Sequence, residues 1–127
     1  MQSLRQIKDQ EGARSYRNPR LMKFFVRDHG GTLEEAEALF AETLEFIVLT
    51  AMMGGGISPT KRVDEMWHFF ILETKDYREF CEAYIGHFVD HVRTDEALTG
   101  RAEEATQVAI QLFGDPRSVY DLSLIHI

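Results

Sequence analysis

A single cysteine, Cys81, in 127 residues leaves no partner for an internal disulfide, so packing has to hold the fold. A lone thiol fits a reducing compartment, and the polar start MQSLRQIKDQ has none of the apolar stretch of a signal peptide, so the chain reads as cytoplasmic. Long hydrophobic runs are missing too. The longest, Phe46 to Met53, is interrupted by Thr50 and falls far short of the roughly 20 residues that a membrane span needs. Period-two alternation of apolar and polar residues is absent throughout, which excludes an exposed sheet and leaves an all-α fold. Positive charge is scarce: 14 Lys and Arg against 21 Asp and Glu give −7, which argues against nucleic acid as the main partner.

What is present suits a globular domain. A hydrophobic content of 44% with 28% charged residues supplies a core without the composition of a disordered chain. The charge is uneven. Residues 1 to 27 carry seven basic groups against Asp9 and Glu11, a net +5, which leaves −12 for the rest. Residues 1 to 18 therefore read as a basic polar arm, and 19 to 121 as one compact bundle of four to five helices without a sheet.

The helix signals come in order. Asn18 and Pro19 make a cap and first helical position for a short helix with Leu21, Phe24 and Phe25 inward, ended by Gly30 and Gly31. Thr32 and Glu35 form a capping box that opens the longest helix. Its stripe of Leu33, Ala36, Phe40, Leu44, Ile47 and Ala51 is joined by a second seam, Leu39, Phe46 and Met53. That makes it apolar nearly all round, and hence central. Gly54, Gly55 and Gly56 follow as a connection. Ser58 and Pro59 then read as the start of a helix with Val63, Met66, Trp67, Phe70 and Ile71 on one face. Thr74 reads as the cap of the next, which carries Tyr77, Phe80, Cys81, Tyr84 and Ile85 and stops at Gly86. A last helix is expected from Thr94 or Asp95 to Phe113. Leu122 to Ile127 match the translation of a transposase-based sequencing adapter end and are set aside as non-native, with the authentic chain expected to continue beyond Asp121.

The stretch from Ser58 to His91 carries the candidate chemistry. Asp64 and His68 stand one helical turn apart on the flank of the apolar face. Cys81 lies on an apolar stripe, where a thiol commonly behaves as a small hydrophobe. Phe69, about 200° from Trp67, is expected to be exposed unless something covers it, and with Leu49, Met52 and Met53 it outlines an apolar patch for a partner protein. His29, beside Gly30, reads as a helix C-terminal residue facing the dipole. No Ser or Cys nucleophile comes with a base at a recognisable spacing.

The string VDEMWHFFILETKDYREFCEAYIGHFVDHV resembles the signature of the glycine-rich domain-containing protein-like family, in its short bacterial single-domain form. Val63, Asp64, Trp67, His68, Phe70, Ile71, Leu72, Thr74, Tyr77, Phe80, Cys81, Gly86, Phe88 and His91 match the signature at its spacing. One position departs from it: Asp90 stands where the family has the first of two histidines. The resemblance sharpens the site and implies no settled activity.

Three readings follow. Asp64, His68, Cys81, Asp90 and His91 are residue types that bind zinc or ferrous iron, and folding the two motif helices back on each other would bring the turn after Gly86 towards Asp64 and His68. Alternatively the same residues form a hydrogen-bonded network that locks the packing, and the chain is an interaction module. A metal-dependent enzyme would add an open coordination position in a pocket.

Overall fold

Thr32 and Glu35 close the capping box reciprocally: the Glu35 amide donates to the Thr32 hydroxyl at 3.0 Å, and the Thr32 amide donates to the Glu35 carboxylate at 2.8 Å. From that start runs the longest helix of the computed structural model, which describes residues 4–55, 57–90 and 102–114, with side chains in the last stretch from 104 onward. The described helices are α1 (Gln10–Ser15), α2 (Pro19–His29), α3 (Leu33–Met53), α4 (Lys61–Leu72), α5 (Thr74–Phe80) and α6 (Ala102–Phe113). The chain of α5 continues through a π-helical turn, Cys81–Ile85. No strand occurs among the described residues, so the fold is all α, with α1 as a helix beyond the expected four to five. His91, the expected start of the last helix and Leu122 to Ile127 lie outside the described residues.

Helix α3 is the centre. It packs against α1, α2, α4 and α6, and Phe40, Leu44, Phe46, Ile47, Val48 and Leu49 are fully buried along it. Leu33, expected in its inward stripe, is the first residue of the helix and is 48% exposed. Leu49, Met52 and Met53, expected in a partner-binding patch, are buried in the core.

The arm is built into this body. Asp9 caps α1 by accepting from the Gly12 amide, and Ala13 is fully buried. Gly12 is required by close approach, since a Cβ there would stand 2.9 Å from the Tyr84 ring and closer still to the Asp9 carboxylate. Upstream, the Arg5 amide donates to the Met52 carbonyl at 2.7 Å, and the amides of Lys8 and Asp9 donate to the carbonyls of Ile85 and Tyr84. Helix α3 has no basic residue in its last turn, and Arg5 supplies one from outside. Its guanidinium packs against Gly54, which caps α3 at φ 79°, a conformation that disfavours any side chain.

Asn18 caps α2 by accepting from the Leu21 amide. Its side-chain amide also donates to Asp76 at 2.8 Å, and Arg20 reaches the same carboxylate at 2.9 Å, so the start of α2 is tied to α5. Phe24, expected inward, is half-buried on the outer side, where Arg20 and Arg27 lie over its ring.

Two starts move by a residue or two. Thr60, rather than Ser58, caps α4 by accepting from the Val63 amide at 3.2 Å, so Pro59 precedes the helix. Thr74 is the first residue of α5, with Glu73 in the cap position and no side-chain cap bond. The π turn forms where the Gly86 amide donates five residues back to the Cys81 carbonyl at 2.8 Å. Its outer carbonyls are taken up by the arm, including that of Glu82 by the Lys8 ammonium.

Candidate functional site

Trp67 and Tyr77 begin the buried half of the motif. The indole N–H of Trp67 donates to the Tyr77 hydroxyl at 3.1 Å, and that hydroxyl donates to the Val89 carbonyl at 2.5 Å. All three residues are buried, as is Cys81, whose thiol lies against the same hydroxyl and the Val89 backbone. The chain after Gly86 is thereby fastened onto the α4–α5 pair. Burial pushes both the Cys81 thiol and the Tyr77 phenol up, and at Tyr77 the neighbouring thiol and Asp90 push the same way. Both groups stay protonated near neutral pH. Cys81 is 1% exposed and sits among core side chains, as a small hydrophobe does.

The other half of the motif faces outward. His68 is exposed and Asp64 half-buried on the side of α4 that meets the end of α2. With Asp28, His29, Lys61, Glu65, Phe69 and Leu72 they line an open groove of about 440 Å³. Phe69 forms its floor and is buried, contrary to the expectation from its helical phase. The end of α2 supplies the cover: Phe25 meets Phe69 edge to face at 5.2 Å between centroids, and His29 meets it at 6.1 Å with planes 89° apart. His29 itself stacks on Phe25 at 4.4 Å, its planes 22° from parallel, and its Nδ1 stands 3.9 Å from a Glu65 oxygen.

Asp64 and His68 share the groove, while Cys81 and the exposed Asp90 belong to the Tyr77 end of the motif. Among the described residues no three His, Cys, Asp or Glu side chains come together to hold a metal ion. His91, the second expected imidazole, lies outside those residues.

Sequence reasoning placed His29 at the end of its helix but missed it as a member of this groove. The legible signal was its spacing of four from Phe25, which stacks the two rings on one face of α2. Which helix that face would meet is a matter of tertiary packing, and the chain carries no local mark of it.

No curated protein and no solved structure matches the chain. A family model described as UCP032817-like matches residues 8–113, a span that takes in α1 and every element of both halves of the site up to Asp90. With most of its length covered by that model, the chain belongs to the UCP032817-like family.

Proposed function

We propose that this chain is a non-catalytic interaction module of the cytoplasm, and that the groove between α2 and α4 binds a basic segment of a partner protein. The observation that carries the reading is the groove's lining: the carboxylates of Asp64 and Glu65, and of Asp28 paired with Arg27, beside one lysine, above an apolar floor of Phe69 and the exposed Leu72. An aliphatic stem ending in a cation fits such a surface, because the stem covers the apolar floor while the charge reaches the acidic wall. The body's charge works in the same direction, with −12 outside the first 27 residues.

The buried half of the motif supports the assignment by having another job. Trp67 and Tyr77 are occupied in closing the fold, with Cys81 buried beside them, while Asp64 and His68 line the groove. We also keep the likeness of Val63 to His91 to the glycine-rich domain-containing protein-like signature as a proposal of kinship.

Isothermal titration with a basic dodecapeptide alternating Lys, Arg and Leu, and with its acidic counterpart, tests the reading. The basic peptide should bind with an affinity that falls as salt rises, and Glu65→Lys should weaken it about tenfold or more by putting like charges face to face. Binding that ignores Glu65→Lys, or a preference for the acidic peptide, would refute it.

A further inference from the structure

We infer that the groove is selective for arginine, holding a partner's guanidinium flat against the His29 ring with its N–H edge on the Glu65 carboxylate. The inference rests on the groove being a site for basic segments, and narrows which basic side chain it takes.

The first support is the fixed orientation of the imidazole. His29 is the last residue of α2, and one face of its ring lies on Phe25 at 4.4 Å. Phe69 stands edge-on to both rings, and Phe25 and Phe69 are themselves buried, so the ring is braced from two sides. The His29 side chain is nevertheless 34% exposed, which leaves part of the ring open to the groove it lines.

The second is the position of Glu65. Its carboxylate lies 3.9 Å from His29 Nδ1, at the edge of the ring, and its side chain is 54% exposed. Asp28 already accepts from Arg27 at 3.0 Å, so we place the incoming cation at Glu65. A planar cation on the imidazole would present its donors to both Glu65 oxygens, while its three-carbon stem crosses Phe69 and Leu72. A lysine ammonium has no plane to stack and no fork to match a carboxylate.

The third is what the protein does with its own cations. Arg14 lies over Phe113 at 4.4 Å, and Arg20 and Arg27 lie over Phe24 at 5.5 and 5.0 Å. Guanidinium over a ring is thus a contact this surface makes repeatedly, twice on the helix that carries His29.

The test uses the full chain, labelled with nitrogen-15, at pH 8 and low salt. It is titrated with acetyl-Gly-Gly-X-Gly-Gly-amide, where X is arginine, lysine or citrulline, the last keeping the plane without the charge. The arginine peptide should shift the amides of His29 and Glu65, and the lysine peptide should bind about two- to fivefold more weakly, the worth of one exposed stacking contact. Citrulline should bind more weakly than either. His29→Ala should erase the difference between arginine and lysine, and Glu65→Gln, at an exposed position that leaves the fold alone, should weaken both. Equal affinity for arginine and lysine overturns the selectivity while leaving the groove a basic-segment site. Equal affinity for citrulline and arginine overturns the role of Glu65. Shifts in the groove with neither basic peptide overturn this inference and the proposed function together.

Discussion

Replacing Tyr77 with Phe removes one oxygen and nothing else from the core, which makes it the cleanest probe of the buried half of the motif. The ring keeps its edge contacts with Phe70 and Phe88, at 4.9 and 5.2 Å between centroids, so packing is preserved. Two polar groups lose their partner: the Trp67 indole N–H, 3.1 Å away, and the Val89 carbonyl, 2.5 Å away. Each unsatisfied buried group costs about 1–3 kcal/mol, and the Cys81 thiol beside them can take up part of the loss. The expected destabilisation is therefore about 2–4 kcal/mol, a large part of the roughly 5–15 kcal/mol that a domain has. Urea unfolding at pH 7, followed by the helical circular dichroism signal and by Trp67 fluorescence, reads it as a lower midpoint at unchanged slope. At about 4 °C per kcal/mol for a chain of this size, the melting temperature should fall by about 8–16 °C. A double-mutant cycle with Trp67→Phe should show coupling of about 1 kcal/mol, since the two side chains share a hydrogen bond. A loss below about 0.5 kcal/mol, or strict additivity in the cycle, would refute the claim that this network fastens the chain after Gly86.

Other consequences follow from the packing and the titration shifts. Phe46→Ala, at a fully buried position of α3 that also meets Trp67 edge to face, should cost about 3–5 kcal/mol in urea unfolding, and a loss under about 1 kcal/mol would place the ring outside the core. Thr32→Ala should cost about 1 kcal/mol by opening the capping box, with Glu35→Ala on top of it adding little. Cys81, Tyr16 and Tyr77 are all held protonated by burial above their ordinary values of 9.0, 10.0 and 10.0. Their contribution is complete below those values and is lost as the unfolded chain begins to ionise above them, so stability should decline as pH rises beyond about 9. A flat melting temperature from pH 8 to 11 would contradict the burial of these groups. Glu65→Lys, at an exposed position, should change stability by less than about 0.5 kcal/mol while weakening peptide binding, which separates the groove's role from the fold's.

Much of the architecture could be read from local signals because the residues that make them act locally. The Thr32–Glu35 box and the Asn18–Pro19 start involve partners three residues apart, and both form as their spacing requires. The start of α4 falls two residues later than the Ser58-Pro59 pair suggests. In Ser58-Pro59-Thr60 either hydroxyl can cap, and the backbone after Thr60 settles it. Helix α1 was hidden because a single small residue, Ala13, is its buried face, and its neighbours are polar. The π turn left no trace in periodicity, since Tyr77, Phe80, Cys81, Tyr84 and Ile85 suit an α-helix as well. It depends on the arm taking up carbonyls from more than 70 residues away in sequence.

The candidate site divided along the same line. Asp64 and His68 share a face because one helix carries both, and the groove keeps them together. The grouping of Asp64 and His68 with Cys81 and Asp90 required a guess about how two helices fold back. Cys81 and Asp90 lie beside Tyr77, which the Trp67 indole joins to the Val89 carbonyl, and His91 lies outside the described residues. Phe69 and His29 show the converse. Helical phase alone puts Phe69 towards solvent, but the burial of a large ring is favourable by about 2 kcal/mol, and the end of α2 lies within reach to provide it.

The central claim, that the face between α2 and α4 is where this protein meets a basic partner, is tested most directly by mapping amide shifts across the full chain on addition of the basic dodecapeptide. The account predicts that the changes concentrate on residues 28–29 and 61–72 and disappear in Glu65→Lys. Changes that fall instead on α1 and α6, or that persist unaltered in that variant, would contradict it.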